Sequence, residues 1–217
     1  MDAHSLAVKS GMYELFARPG WGSVLVEAQL AWYGLSYEIE DLDALFKSTE
    51  ARAAAACKPS RASPNPGAPG RAVLTESAAI TLHLVDATQS ADLVPAPSEN
   101  ARPAFLRWLV FLVANIYPTF TYADDPARFV EGEAAQQVFE TNVGAYRERL
   151  WRQVETVVAA QWFLGPRFSA LDIYIAVMTR WRPRRGWFEG ECPHLYAVAL
   201  RADGEPRVAG VWRRNFG

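Results

Sequence analysis

Glu76 and Ser77 stand side by side where a short apolar run, Ala72 to Leu74, gives way to a helical pattern from Ser77 to Leu84, with Ile80, His83 and Leu84 at three-and-four spacing. A helix beginning there offers unpaired backbone N–H groups and the positive end of its dipole. Ser77 adds a hydroxyl donor suited to a carboxylate, and Glu76 an acceptor suited to an ammonium group. Adjacent residues of these types can grip the two charges of an α-amino acid head group. The plainer alternative is a helix cap, with Thr75 or Ser77 as the N-cap and Glu76 in the favourable first turn.

A second spaced pair lies further on. Phe163-Leu164-Gly165 leads through Pro166 and Arg167 to Ser169-Ala170-Leu171-Asp172, a Ser-x-x-Asp box at a helix start. Ser169 can accept from the amide three residues on while Asp172 reaches back to the Ser169 amide. Its role is structural, without catalysis.

The elements that must position these residues follow from periodicity. Tyr13 to Ala17 is a compact strand, Arg18-Pro19-Gly20-Trp21-Gly22-Ser23 a loop, and Val24 to about Tyr33 a helix stopped by Gly34. Ser36 to Leu42 alternates as a second strand, with Tyr37 and Ile39 on one face and Leu42 a candidate for the same face. This βαβ opening implies a right-handed crossover and a parallel strand pair. A polar, Pro-containing connector from Gln89 to Asn100 separates the halves, and the remainder is helical in pattern. Arg102 to Ile116 carries an apolar stripe through Phe105, Trp108, Leu109 and Leu112, and Gln136 to Val158 carries another. Such stripes form a core or an interface.

Composition narrows the classes. A chain of 217 residues, 50% of them hydrophobic, suits two small domains with a sizeable core and no staples. A net charge of −2 argues against a nucleic-acid or membrane-surface footprint. The locally basic run Trp181 to Trp187 reads as a solvated helix end or loop. Cys57 and Cys192 lack metal-ligand spacing, so reduced thiols in the cytoplasm are the default, and His4, His83 and His194 form no metal pattern. Residues 1–11 read as a flexible lead-in without an export signal. The longest apolar stretch, Trp108 to Ile116, is too short to span a bilayer.

The run LTESAAI (Leu74 to Ile80), the βαβ opening and the capping box come in an order that resembles the soluble glutathione transferase family, over roughly Met12 to Phe216. The resemblance implies an α/β plus all-α architecture, a thioredoxin-like glutathione-binding domain followed by a helical-bundle domain. The implied boundaries are the lead-in at 1–11, the thioredoxin-like domain at 12–88, a linker at 89–99 and the helical domain at 100–217. It implies glutathione as co-substrate with no metal, a small hydrophobic electrophile that is conjugated or reduced, and a cytoplasmic homodimer without nucleic-acid or membrane partners. Glu76 and Ser77 would then hold the γ-glutamyl end.

Arg52 to Ala72 is rich in Ala, Pro, Arg, Ser and Gly where the family has a cis-proline and a central strand. Keeping the family's length puts Ser63-Pro64 at the cis-proline place, with Ser63 pairing through its backbone to the cysteinyl part of glutathione, and leaves Asn65 to Ala68 as a poor strand. A second register puts the cis bond at Ala68-Pro69, and a disordered or swapped segment is the third alternative. X-Pro bonds are cis in only about 5–6% of folded cases, so the assignment rests on the resemblance.

A transferase must also favour the thiolate of glutathione. Lowering a thiol pKa of about 8.5 by two units needs about 2.7 kcal/mol. A hydroxyl hydrogen bond to charged sulfur supplies roughly 1.5–3 kcal/mol and a helix N-terminus roughly 0.3–1. The places where the family puts Tyr, Ser or Cys hold Phe16, Gly20 and Gly22. Ser23 is the nearest hydroxyl, with a simple helix cap as its alternative, and Tyr117 falls where a bacterial subgroup of the family keeps a histidine. Trp21, Trp108 and Tyr122 are candidates for a hydrophobic acceptor pocket, and equally for core aromatics. The empty thiolate places favour a second function, a non-catalytic ligand-binding or protein-interaction module on the same fold.

Overall fold

A computed structural model describes residues 5–9, 12–41, 73–159 and 161–217. The chain divides into two units, one comprising Met1–Gln89 with Glu205–Gly217, the other Ser90–Gly204.

In the first unit, strands β1 (Ser5–Lys9), β2 (Met12–Ala17), β3 (Tyr37–Asp41) and β4 (Val73–Leu74) form a sheet in the order β3-β2-β1-β4. The β2–β3 pair is parallel and joined through helix α1 (Ser23–Trp32), which gives the βαβ unit. β1 is antiparallel to both β2 and β4, with Leu6 opposite Leu15 on one side and Leu74 on the other.

The place of β1 inside the sheet corrects the reading of residues 1–11 as a flexible lead-in for Ser5–Lys9. Leu6-Ala7-Val8 is a compact apolar run, and only two positions lie between the end of β1 at Lys9 and the start of β2 at Met12, a length suited to a tight hairpin. A short segment next to a strand reaches the open sheet edge at small loop-closure cost. The central strand that the family resemblance implies between 52 and 72, with Ser63, Pro64, Pro69 and Cys57, lies outside the described residues.

Helix α2 (Ser77–Thr88) packs with α1 over the sheet, burying Tyr13, Leu15, Ala17, Val26, Leu30, Ile80 and Leu84. Ile39, expected on an inward face, is 39% exposed, because β3 is an edge strand of the described sheet. α1 ends as Gly34 adopts φ 64, with Gly34 N–H donating to Ala31 O and Leu35 N–H to Leu30 O. This is a Schellman motif, and only a left-handed residue closes it without strain.

The C-terminal segment, expected to finish the helical domain at 100–217, groups with the first unit instead. After a 3-10 turn at Pro206–Val208, helix α9 (Ala209–Phe216) packs on α1. The anchor is Glu27 of α1, 1% exposed, which accepts from Tyr37 Oη at 3.2 Å and Asn215 Nδ2 at 2.9 Å and pairs with Arg214. A carboxylate that deep requires such partners.

The second unit is helical: α3 (Arg102–Phe111), a π-helical turn (Leu112–Ile116), α4 (Tyr117–Asp124), α5 (Glu133–Glu155), α6 (Ala170–Met178), α7 (Arg185–Glu191) and α8 (Pro193–Asp203). Every residue of α6 is buried, with Trp151, Phe163 and Phe188 also at full burial in this core. The π turn has a cause in sequence. Pro118 lacks an N–H and would clash with the carbonyl four residues back, and widening the preceding turn relieves the clash, with Tyr117 N–H reaching Leu112 O. The continuous run Arg102–Asp124 is long and apolar enough to cross a membrane by length and composition, more than the stretch Trp108 to Ile116 suggests. Its inward stripe, Phe105, Trp108, Leu109, Leu112, Ile116 and Phe120, is buried within this unit.

The basic run at 181–187 is less solvated than its composition implies. Arg185 and the adjacent Arg180 both pair with Asp203, at 3.1 and 2.7 Å, in a half-buried cluster, and Arg182 pairs with Asp124. Cys192 is fully buried and burial pushes its thiol up to about 12, so it stays protonated and unreactive.

Candidate functional site

β4 and β2 are both antiparallel to β1, so they run in the same direction and end at the same edge of the sheet. Leu15 and Leu74 flank the same residue, Leu6, which sets those two residues level and two strand spacings apart, about 10 Å, with β2 running on two residues further to Ala17. A helix follows each strand: α1 after β2 and α2 after β4. Two helix N-termini therefore open at one sheet edge, each with first-turn amides that have no intrahelical acceptor. Such an edge, at the carboxyl ends of parallel strands, is where α/β sheets bind ligands.

At the α2 end, Glu76 is the N-cap, with φ 68 and ψ 107, and no side chain caps the helix. The simple cap by Thr75 or Ser77 is thus not what the structure contains. A non-glycine residue in this region is strained and persists only where its surroundings hold it. Ile80 N–H donates to Glu76 O at 2.9 Å and Thr81 Oγ1 donates to Ser77 O at 2.9 Å, which fixes the turn from the helix side. The Glu76 side chain is exposed while Ser77 is 5% exposed. An acceptor facing solvent beside open amides and a hydroxyl can receive an ammonium and a carboxylate together.

At the α1 end, Arg18-Pro19-Gly20-Trp21 makes a turn closed by Trp21 N–H to Arg18 O at 3.1 Å, with Gly20 at φ 75. Proline second and glycine third suit a type II turn, which requires positive φ at the third position. Ser23, the first residue of α1, is fully buried, and its Oγ both accepts from Arg18 N and donates to Arg18 O, each at 3.2 Å. The hydroxyl that the sequence offers to a sulfur thus holds the loop's own peptide. Val24 and Leu25 amides close turns onto Trp21 O and Gly22 O, while those of Gly22 and Ser23 belong to the open first turn.

Other sequence candidates fall elsewhere. Trp21 is 44% exposed and stacked under the Arg18 guanidinium at 4.4 Å. Trp108 is 4% exposed and edge-packed on Phe111 and Phe163 at 5.2 and 5.6 Å, the position of a core aromatic, one of the two readings its sequence left open. Tyr122, 39% exposed, meets Phe129 at 5.1 Å. Tyr117 follows the π turn, half-buried and edge-on to Trp181 at 5.5 Å. Trp108, Tyr117 and Tyr122 belong to the second unit, whereas Glu76, Ser77, Ser23 and Trp21 belong to the first.

Ser169 and Asp172 form both arms of a capping box at α6. Asp172 accepts from Ser169 N, Ser169 Oγ and Phe163 N at 2.7, 2.9 and 2.8 Å, yet burial pushes its carboxyl up to about 6. Sequence reasoning missed two features of the sheet edge: the positive φ of Glu76 and the bond from Asn215 to the Gly20 turn. The first has no signature in residue type, and the second spans 195 positions.

Comparison with known proteins gives a consistent neighbourhood. No family model matches the chain. It is 31% identical over 206 residues to the uncharacterized GST-like protein YncG of Escherichia coli (strain K12), covering 94% of this chain and 98% of that protein. The glutathione S-transferase from Xylella fastidiosa superposes with a TM-score of 0.72 at 22% identity, over 92% of this chain and 97% of that one. A sphingomonad glutathione S-transferase complexed with glutathione gives 0.68 at 23% identity, again over 92% and 97%.

Proposed function

The chain belongs to the glutathione S-transferase family, its fold a thioredoxin-like unit with an all-helical unit, and from that premise we propose that it binds glutathione along the sheet edge and activates its thiol. The observation that carries the reading is the pair of helix N-termini opening at one sheet edge, after strands that lie about 10 Å apart, a spacing that a three-residue peptide, about 10 Å long when extended, can follow. The γ-glutamyl head group lies at α2, its ammonium on Glu76 and its carboxylate on Ser77 and the first-turn amides. The cysteinyl sulfur lies at α1. Ser63 and Pro64, outside the described residues, are assigned the cysteinyl backbone by the family resemblance.

The α1 dipole and the Gly22 and Ser23 amides favour a charged sulfur. Ser23 Oγ contributes by redirecting its hydrogen bond from Arg18 O to the thiolate, and the family resemblance keeps Tyr117 as the other candidate residue. The thiol proton leaves to solvent, and the sulfur lone pair forms a C–S bond to an electrophilic carbon. In a substitution the leaving group departs with its bonding pair; in an addition the π pair moves to the neighbouring atom, which takes a proton. Small hydrophobic electrophiles, a detoxifying role in the cytoplasm and a homodimer complete the reading. The exposed Tyr122, Phe129, Val138 and Tyr146 of the helical unit support the last of these.

One observation favours a second reading. Phe16, Gly20 and Gly22 leave the thiolate places without hydroxyl or thiol, and the Ser23 hydroxyl is already bonded, which suits a glutathione-binding module without catalysis. Retention on immobilised glutathione, with Glu76→Ala beside the wild type, tests binding. Wild type is retained and the variant is not; a wild type that flows through sinks the glutathione reading altogether. Conjugation rates of Ser23→Ala and Tyr117→Phe then separate the two readings, with unchanged rates in both rejecting the thiolate assignments.

A further inference from the structure

We propose that Asn215 of the C-terminal helix is a positioning residue for the thiol end of the site, an inference that rests on the glutathione reading. Its side chain joins three elements of the first unit. Oδ1 accepts from Gly20 N–H at 3.3 Å, and Nδ2 donates to Glu27 Oε2 and to Val211 O, both at 2.9 Å.

The partners dictate the amide's orientation, since a peptide N–H needs the oxygen and a carboxylate needs the NH2. Asparagine is suited to this place. Aspartate offers the acceptor but sets a second carboxylate against buried Glu27, and alanine offers neither group. The helix also closes on the turn sterically, with Asn215 O and Phe216 Cε1 at 3.7 and 3.9 Å from where a Cβ on Gly20 would stand.

The Gly20 turn carries the chain from β2 into α1, and its closing bond is made by Trp21 N–H, which leaves the Gly20 N–H to Asn215. Ser23 holds this turn through Arg18, and Asn215 holds it through Gly20. Two independent ties over-determine a short loop whose next residues, Gly22 and Ser23, start the helix that faces the sulfur. A donor displaced by about 1 Å loses much of its effect on a reacting group, on the order of a hundredfold in rate at the extreme. The last helix of the chain thus sets the geometry of the first.

The test compares Asn215→Ala, Asn215→Ser and Arg214→Ala in the full-length protein. Arg214 sits on the same helix and the same carboxylate but makes no bond to the Gly20 turn, so its loss reports docking of the helix alone. Two readouts are taken: the pH dependence of bound glutathione thiolate, followed by ultraviolet absorbance, and hydrogen exchange of residues 18–22 without ligand. Both Asn215 variants should raise the thiolate midpoint by about half to one pH unit and speed exchange in the loop at least tenfold, with Arg214→Ala close to wild type.

Unchanged exchange in both Asn215 variants, or an equal shift in Arg214→Ala, overturns the proposal. A wild type that binds glutathione while the Asn215 variants match its midpoint sinks this inference alone. A wild type that binds none sinks the function reading and this inference with it.

Discussion

Glu76 joins a strained backbone to a proposed ligand contact, so replacing it with glycine should improve the fold and harm the site at once. At φ 68 and ψ 107 a residue with a Cβ carries strain of about 1–3 kcal/mol. Glycine removes that strain and costs about 0.5–1 kcal/mol through its freer unfolded chain. Alanine keeps the Cβ and hence the strain. Glu76→Gly should therefore exceed Glu76→Ala in stability by about 1 kcal/mol, or about 2–4 °C in melting temperature for a chain of this size. Both variants lose the same carboxylate. An ammonium–carboxylate hydrogen bond contributes about 1.5–3 kcal/mol, so glutathione should bind each variant roughly tenfold to a hundredfold more weakly. Melts of the ligand-free proteins and titration calorimetry with glutathione give the two numbers separately. If the glycine variant melts at or below the alanine variant, the strain argument is wrong. If both variants bind as the wild type does, Glu76 does not touch the ligand, whatever its backbone does.

Two further outcomes concern the scaffold. Asp172, with its folded pKa raised to about 6 by burial, binds its proton more tightly folded than unfolded, so stability falls by about 3 kcal/mol as pH rises from about 4 to about 6 and is flat above. Denaturation of wild type and Asp172→Asn at pH 4 and pH 7 should show a stability difference that shifts by that amount; a pH-independent difference excludes it. Ala7 pairs with Glu14 on one side and Val73 on the other, so Ala7→Pro removes a donor from the middle of the sheet and should cost about 3 kcal/mol or more in urea denaturation. An unaffected variant would place β1 outside the sheet.

Local chemistry made part of this protein legible from its residues alone. Pro19-Gly20 marks a turn and Gly34 a helix stop because glycine takes positive φ without the strain of a Cβ. The βαβ opening follows from periodicity and short loops, and the adjacency of Glu76 and Ser77 places an acceptor beside a donor wherever the helix begins. What only the tertiary structure decided involves partners distant along the chain. Ser5–Lys9 became the central strand because two flanking strands were there to receive its hydrogen bonds. Glu76 takes positive φ at the junction of β4 with α2, and Trp108 packs edge-on against Phe163, 55 positions on. Arg180 and Arg185 were drawn from solvent by Asp203, and Asn215 reached the Gly20 turn across 195 positions. Sequence determines such pairings only through the folded chain, because hydrogen bonds and packing act over a few ångströms of space and carry no record of separation along the backbone.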